Sequence, residues 1–534
     1  TFQEMRRLQG TSPYFPRPDV IGSPDVLGEH DVSAPPPSVV LSLHDDVRVA
    51  AVKDWIVSLE VTRPEALRAT TVAVALQWCG MPFWTKLGKE FYHLSFETEK
   101  IQQFWSHSWK QRPEMKVLLL LVLHNGYHAA LVSMVGAIFA ALLFIFDILP
   151  GSSRMIWMGD EYVCSGWAIA TGFFLFLLTL LTRRSSTRIF FDRICIPQTD
   201  SALKGEAILN LGASLKHSNS MLILWDHTWG QRLWCIFELA AYLKCHGDER
   251  NQNESLESTS SRRWTWRRRS TTFEVERSLM ILPVFWGRYV QRIFLGCCLF
   301  MMSAVFISYD FAIWRMLIYA AILLVVVVLA HWGVVGYFRE LDALLVQLRH
   351  FHLDSTQCWC CEVNHVDPST SEPVMCDREV LESCIDDWFG SKTAFEASVQ
   401  SRVADVVQGK FRSFPLSYGA HLLTLIALPW GSIDIASAYI HAGDYVDGAY
   451  FALGLICWWL ILVPSIATIT ISTLRRISQF AGHVWPFHLL LISQYPLISF
   501  VQQILWQFLE PRHARLAFSL LSLIPGAVAV YLRC

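Results

Sequence analysis

Cysteine and histidine side chains are concentrated between residues 350 and 384. The stretch contains His350, His352, Cys358, Cys360, Cys361, His365, Cys376 and Cys384. Thiolate and imidazole groups are the ligands that structural zinc sites use, and Cys358, Cys360, Cys361 and His365 are the candidate ligands. The C-x-C-C spacing is not that of a standard zinc knuckle, so a cytosolic segment with reduced, partly buried cysteines is the alternative.

The run RRWTWRRR at 262–269 mixes arginine with tryptophan. This composition can lie on anionic lipid, although such a run is more often a flexible, solvated loop. The chain has no Walker loop, no HExxH and no glycine-rich dinucleotide fingerprint, which disfavours kinases, ATPases, metalloproteases and Rossmann enzymes. The net charge of -2 provides no global basic field, so nucleic acid is not an expected partner.

Residues 188–285 alternate between strand and helix patterns. RIFFDRICI, SMLILW and ERSLMILPVF have the apolar content of buried strands, and helical stripes lie between them over 203–215 and 233–243. A further strand is predicted at 101–109, followed by a helix over 115–123. This alternation predicts an α/β domain with a parallel sheet and helices on its faces.

Several segments of this domain resemble the Toll/interleukin receptor (TIR) family. Ser106, His107, Ser108 and Trp109 resemble the segment that closes the first TIR strand, and Asp200, Leu203, Gly205 and Ile208 resemble the pattern after the second. The run MLILWDHTWGQRLWCIFEL is similar to the stretch leading into W-C-x-x-E-L, and ILPVF to the next strand. The resemblance implies a flavodoxin-like parallel sheet built from residues 101–126 and 183–288. A charged loop at 247–272 departs from the family.

The resemblance also implies a site and an activity. Some TIR domains hydrolyse NAD between nicotinamide and ribose, using a glutamate that corresponds to Glu238. A carboxylate suits this reaction because the ribose develops oxocarbenium-like positive charge. We expect Ser106, His107, Ser108, Trp109 and Trp234 to bind the substrate, with no cofactor required. In the alternative, Glu238 is a solvated helix residue, the tryptophans are core, and the domain acts by self-association as a signalling scaffold.

Most of the remaining chain is predicted to cross a lipid bilayer. The sequence is 53% hydrophobic and only 17% charged, and it contains about eight apolar stretches of the length that a membrane helix needs. The predicted spans cover residues 127–149, 163–182, 290–308, 311–338, 416–439, 448–474, 485–509 and 516–532. The first two form a hairpin inserted into the TIR-like domain. Lys and Arg beside the spans place that domain and both termini in the cytosol, in a multi-pass all-α bundle.

The rest of the predicted organisation follows from composition. Residues 1–38 are expected to form a disordered arm, 39–100 a helical lead-in, 289–338 a second membrane hairpin, 339–415 a cytosolic Cys/His-containing helical segment, and 416–534 four membrane helices. A channel or transporter is a second alternative. Intramembrane ionisable residues usually mark such pathways, and the candidates are Asp434, His331 and His488.

Overall fold

The fold was analysed in a computed structural model. It describes residues 50–84, 90–110, 113–157, 160–247, 278–306, 336–366, 376–411 and 418–462, together with a few single positions. The chain divides into two compact units. Unit 1 contains Thr1–Pro113, Arg184–Pro283 and Gln347–Ala404, and unit 2 contains Glu114–Arg183, Val284–Val346 and Asp405–Cys534.

Unit 1 is built on a mixed six-stranded sheet with the order β2-β1-β6-β3-β7-β8. Its strands are β1 (Arg68–Thr71), β2 (Phe96–Glu97), β3 (Gln103–His107), β6 (Arg188–Phe190), β7 (Met221–Trp225) and β8 (Leu279–Pro283). The last four run parallel, with Ser106 opposite Ile223 and Ile223 opposite Ile281. The other two add an antiparallel edge beside β6.

Strands β3 and β7 lie at the centre of this sheet. Every residue of QFWSH and of MLILW in these strands is buried. MLILW is a continuous apolar run, which is typical of a parallel strand covered by helices on both faces, because neither face then meets water. Strand β3 is equally buried, although Gln103, Ser106 and His107 are polar. The structure thus has a strand within each of the segments 101–109, 220–225 and 276–285 in which one was predicted.

Unit 1 also contains helices. They are α1 (Val72–Ala75), α2 (Gln77–Trp84), α5 (Asp192–Cys195), α6 (Ser201–Leu209), α7 (Leu211–Lys216), α8 (Leu233–Gly247), α10 (Trp359–Glu362), α11 (Asp377–Phe389) and α12 (Lys392–Ser398). Helix α13 (Ala404–Phe411) begins at the last residue of unit 1 and otherwise belongs to unit 2. Leu233, Ile236, Phe237 and Ala240 of α8 are buried at helical spacing, as the sequence predicts. Helix α11 also packs on the described N-terminal part, where Trp388 Nε1 donates to Val57 O at 3.2 Å.

Two predictions for unit 1 need correction. The strand expected over RIFFDRICI at 188–196 ends after three residues, and the chain turns into the short helix α5, in which Asp192 Oδ1 accepts the N–H of Arg193. A local hydrogen bond of this kind competes with continuation of the strand. The lead-in predicted as helical over 39–100 also contributes β1 and β2, which pair with the edge of the sheet.

Unit 2 contains a long helical hairpin, α3 (Glu114–Ile145) and α4 (Trp167–Thr182), joined by the antiparallel strands β4 (Ser153–Trp157) and β5 (Asp160–Cys164). The helix predicted over 115–123 and most of the first predicted span, 127–149, form the single helix α3, which ends at Ile145. The start of α4 at Trp167 corrects the second span, because Val163 lies in β5. Close to the open end of the hairpin, Asn125 Nδ2 donates to Leu180 O at 2.9 Å and Arg183 Nη1 donates to His124 O at 3.0 Å.

Small side chains line the buried face of α3, and large apolar ones line its outer face. Ala129, Ser133, Ala137 and Ala140 are buried, whereas Leu131, Val135, Phe139 and Leu142 are exposed. Small residues let membrane helices approach closely, because there is little hydrophobic drive between helices in lipid. Close packing also requires a glycine at position 172 of α4, because a Cβ on Gly172 would lie 2.6 Å from Cγ of Trp430.

The described residues contain one helix, Glu114–Ile145, that is long and apolar enough to cross a membrane, and the shorter apolar helix Trp167–Thr182. The predicted bundle of about eight spans is therefore not confirmed. Residues 290–308 fall largely in α9 (Trp286–Phe306), and 416–439 contain α14 (Tyr418–Thr424) and most of α15 (Ala427–His441). Residues 448–474 begin in α16 (Tyr445–Cys457). The spans at 485–509 and 516–532, nearly all of 311–338, and the arm at 1–38 lie outside the described residues.

Asp434 of α15 caps the start of α4. Its carboxylate accepts hydrogen bonds from the backbone N–H groups of Ala168 and Ile169 and from the Ser165 hydroxyl, each at 2.9 Å. The first N–H groups of a helix have no partner within the helix, and a carboxylate there satisfies them and complements the helix dipole. The residue predicted as a marker of an ion pathway is thus engaged in holding α4 and α15 together.

We predict that Asp434→Ala lowers the thermal unfolding midpoint of the detergent-solubilised chain. The change leaves buried donors unpaired, which costs about 1–3 kcal/mol. Asp147→Ala is the matched control, because this carboxylate pairs with His441 at 2.8 Å but is exposed, and exposed pairs contribute little. Equal midpoints for the two variants, measured by tryptophan fluorescence, would contradict the capping role.

Candidate functional site

Polar side chains from three parallel strands meet at the edge of the sheet where those strands end. Ser106, His107 and Ser108 lie at the end of β3, Asp192 follows β6, and Asp226 follows β7. Ligands of open parallel sheets bind outside the carboxyl ends of the strands, because loops and helix N-termini converge there. This edge is therefore the candidate site.

Glu238 reaches the edge from the second turn of α8. Its Oε2 accepts a hydrogen bond of 2.5 Å from the Ser106 hydroxyl, and Ser106 Oγ in turn accepts the indole N–H of Trp229 at 2.9 Å. Ser106 is thus held by a donor on one side and an acceptor on the other. The hydroxyl and the carboxyl, 132 residues apart in the sequence, form one unit.

Burial raises the pKa of Glu238 to about 8. The negative charge of Asp192 raises the pKa further, whereas the hydrogen bond from Ser106 and the charge of Arg232 lower it. Glu238 keeps some exposed surface as a residue, while its carboxyl group is closely surrounded by protein. The site therefore contains a carboxyl group that changes its charge near neutral pH, as a general acid or base requires.

His107, Asp192 and Trp109 form a second polar group at the same edge. Asp192 Oδ2 accepts the indole N–H of Trp109 at 2.9 Å, and Asp192 Oδ1 lies 3.4 Å from Nε2 of His107. The rings of His107 and Trp109 meet edge to face with centroids 4.3 Å apart, and Phe191 packs against both. Trp109 is 39% exposed, so part of its ring is open to a ligand.

Asp192 is held in its charged form. Burial tends to raise the pKa of this carboxyl group, but the neighbouring His107 ring and the hydrogen bonds from the Trp109 indole and the backbone N–H of Arg193 outweigh burial and lower the pKa. Two carboxyl groups at one edge of the sheet thus have pKa values shifted in opposite directions. Such a separation is typical of sites in which one group is protonated while its neighbour is ionised.

A short chain of hydroxyl groups completes the edge. The hydroxyls of Ser108 and Thr228 are 2.7 Å apart, and Thr228 donates both its hydroxyl, at 2.5 Å, and its backbone N–H, at 2.9 Å, to Asp226 Oδ1. This Asx turn fixes the loop after β7 from which Trp229 reaches Ser106.

Of the residues predicted for the site, Ser106 contacts Glu238 directly, and His107, Ser108 and Trp109 lie at the same strand end. Trp234 is placed differently, because its indole N–H donates to Asp377 Oδ2 of α11 at 3.2 Å. Its spacing of one helical turn from Glu238 therefore does not bring the two side chains to the same partners. Asp192, Thr228 and Trp229 were not predicted. Their one signal in the sequence is a polar or aromatic residue within four positions of the end of a buried strand.

The Cys/His segment brings together a different set of ligands from the predicted one. Cys360, Cys361 and His365 are grouped with Cys376, with their ligand atoms all within 4.8 Å of one another, and Cys358 belongs to a second group with Cys360 and Asp377. Cys376, 15 positions after Cys361, thus belongs to the group in which Cys358 was expected. The grouping depends on the fold, because α11 returns the chain to α10.

The chain was compared with family models, with curated proteins and with solved structures, and none of the three comparisons found a match. The function is therefore inferred from the residues of the site and their geometry.

We predict that Glu238→Gln stabilises the protein at alkaline pH. The folded state binds the Glu238 proton more tightly than the unfolded chain, so wild-type stability falls as the pH rises from the unfolded pKa, about 4.5, through the folded value of about 8. Glutamine has no charge to bury. We expect the variant to exceed the wild type by about 2–4 °C in unfolding midpoint at pH 8.5, and by less at pH 5.

Glu60→Gln is the control for this measurement, because Glu60 makes an exposed ion pair with Lys216. A difference between Glu238→Gln and the wild type that does not change with pH would show that Glu238 ionises without a penalty.

Proposed function

We propose that unit 1 is a TIR-like domain that hydrolyses NAD at the bond between nicotinamide and ribose, with Glu238 as the catalytic carboxylate. The observation that carries this proposal is the hydrogen bond between Ser106 Oγ and Glu238 Oε2 at the carboxyl ends of the parallel strands. It joins the two segments whose residues resemble the TIR family, at the residue types that the resemblance assigns to the site.

The strand order supports the proposal. In chain order the four parallel strands are β3, β6, β7 and β8, and they lie in the sheet as β6-β3-β7-β8. This is the 2-1-3-4 order of flavodoxin-like sheets, in which ligands bind at the point between the first and third strands where the chain changes direction across the sheet. Ser106, Ser108 and Thr228 lie at that point.

In the proposed reaction the bond between the nicotinamide nitrogen and ribose C1′ breaks, and its electron pair leaves with neutral nicotinamide. The ionised Glu238 accepts hydrogen bonds from the ribose hydroxyls and stabilises the positive charge at C1′. Water then adds to C1′ and loses a proton to solvent, which yields ADP-ribose. The exposed part of Trp109 offers a stacking surface for the nicotinamide ring.

Ser106 and Trp229 act as positioning residues in this scheme. The Ser106 hydroxyl fixes Oε2 of Glu238, and the indole of Trp229 fixes the orientation of the Ser106 hydroxyl. Because the hydrogen bond from Ser106 favours the ionised carboxylate, it lowers the pH at which Glu238 becomes active.

We also propose that unit 2 anchors the chain in a bilayer, with unit 1 and both termini in the cytosol. The outer faces of α3 and α4 expose Val135, Phe139, Phe174 and Leu178, among other large apolar side chains. A contiguous apolar surface of this kind on a helical hairpin needs a lipid or protein partner. Residues 129–145 of α3 and the whole of α4 contain no charged side chain, which favours lipid.

We predict that the purified full chain in lipid nanodiscs releases nicotinamide from NAD, and that Glu238→Gln lowers this rate by about 10²–10⁴-fold, because the charge that stabilises the oxocarbenium-like state is lost. Product is measured by liquid chromatography. Glu60→Gln should retain full activity. Equal turnover by Glu238→Gln and the wild type would remove the enzymatic proposal and leave self-association as the function of the domain.

We predict that kcat/KM for NAD rises with pH and levels off above about pH 8, because the ionised form of Glu238 is the active one. Ser106→Ala should move this rise to higher pH, since it removes the hydrogen bond that favours ionisation. Ser218→Ala is the control, because the buried Ser218 hydroxyl donates to Ser214 O away from the site. An unchanged profile for Ser106→Ala would contradict the positioning role.

A further inference from the structure

Four metal-ligating side chains meet at the start of α11. The sulfur atoms of Cys360, Cys361 and Cys376 and a ring nitrogen of His365 all lie within 4.8 Å of one another. Cys361 Sγ is 3.9 Å from Cys360 Sγ and 4.0 Å from Cys376 Sγ. Sulfur ligands arranged tetrahedrally around zinc, with Zn–S bonds of about 2.3 Å, lie about 3.8 Å apart. The observed separations are therefore close to those of a zinc site.

The backbone around His365 favours this arrangement. Asn364 and His365 both have positive φ, at 52° and 58°, a conformation that residues other than glycine adopt rarely. The turn is closed by the N–H of His365, which donates to Cys360 O at 2.8 Å. This strained turn returns the imidazole to the two cysteines of α10, and a metal bond to His365 would offset the strain.

Hydrogen-bond donors surround two of the sulfur atoms. The backbone N–H of Asp377 donates to Cys360 Sγ at 3.3 Å, and Arg378 makes a hydrogen bond to Cys361. Cys376 occupies the N-cap of α11, a 13-residue helix. Partners of this kind around the ligands are typical of metal sites.

Cys358 does not fit the same ion. Its Sγ lies 3.1 Å from Cys360 Sγ, closer than two ligands of one tetrahedral zinc, whose separation is about 3.8 Å. Cys376 meets the distance that Cys358 does not.

The cluster is flanked on both sides by contacts to the start of α8. The N–H of Leu233 donates to Gln357 O at 3.1 Å, one residue before Cys358. On the other side, Trp234 Nε1 donates to Asp377 Oδ2, one residue after Cys376. A metal ion that closes the loop between Gln357 and Asp377 would therefore hold both contacts in place.

We propose that Cys360, Cys361, His365 and Cys376 bind one structural zinc ion, and that this ion holds Gln357 and Asp377 against the N-terminal turn of α8. The site is independent of the proposed NAD hydrolysis, because none of its ligands touches Ser106 or Glu238 among the contacts of the described residues. Zinc binding and NAD turnover can thus fail separately.

The test is the metal content of the purified full chain in nanodiscs, measured by mass spectrometry after zinc loading and desalting. We expect about one equivalent of zinc in the wild type and less than about 0.2 equivalents in Cys376→Ser. Cys384→Ser is the matched control, because this buried cysteine lies on the same helix and belongs to neither cluster. It should retain the full equivalent.

Cobalt substitution separates ligand loss from misfolding. The intensity of the sulfur-to-cobalt charge-transfer band reports the number of thiolate ligands, so Cys361→Ser should lose about a third of it, and Cys358→Ser should retain all of it. Chelation should also speed hydrogen exchange at Leu233. A wild-type chain that takes up less than about 0.2 equivalents of zinc and gives no cobalt band would overturn the proposal, as would equal zinc in Cys376→Ser and the wild type.

Discussion

The parallel pairing of β3 with β6 and β7 is the constraint on which the rest of unit 1 depends. Strand β3 comes before the helical hairpin in the chain, and its two neighbours come after it. All five residues of β3 are buried, so this strand cannot remain unpaired without leaving backbone polar groups unsatisfied away from water. Within unit 2, the hydrogen bonds of Asn125 and Arg183 hold the N-terminal half of α3 against the C-terminal end of α4. The two helices of the hairpin are therefore joined at its open end.

The pairing also determines where a carboxyl group with a raised pKa lies. Glu238 contacts Ser106 because α8 packs on the sheet that β3 completes, and burial in that position disfavours its charged form. A buried carboxyl group costs stability at neutral pH. Asp192 beside it has a lowered pKa, and perturbed pKa values of this kind concentrate at functional sites.

Much of the sheet was predictable from the sequence, because buried parallel strands are often continuous apolar runs and the helices between them carry apolar residues at every third or fourth position. The end of β6 was not, since RIFFDRICI is apolar well beyond the point where Asp192 closes a local turn. Glu238 and Ser106 were predicted for the site through the family resemblance. The hydrogen bond of Trp234 to Asp377 depends on where α11 packs, and so does the grouping of Cys376, in place of Cys358, with Cys360, Cys361 and His365. Spacing along the chain carries no information about that packing.

Disulfide trapping across the β3–β7 pair tests whether the segments before and after the helical hairpin form one sheet. The N–H of Asn219 donates to Ile101 O at 2.9 Å, and the pairs Phe104–Met221 and Ile101–Ser218 place Asn219 beside Gln102. Both residues are exposed and lie just before β7 and β3. Adjacent strands lie about 4.8 Å apart, within the range that a disulfide spans. If β3 and β7 pair, Gln102→Cys combined with Asn219→Cys forms an intramolecular disulfide in native membranes under mild oxidation. Absence of that disulfide, with impermeant reagents labelling the two cysteines from opposite sides of sealed vesicles, would contradict it.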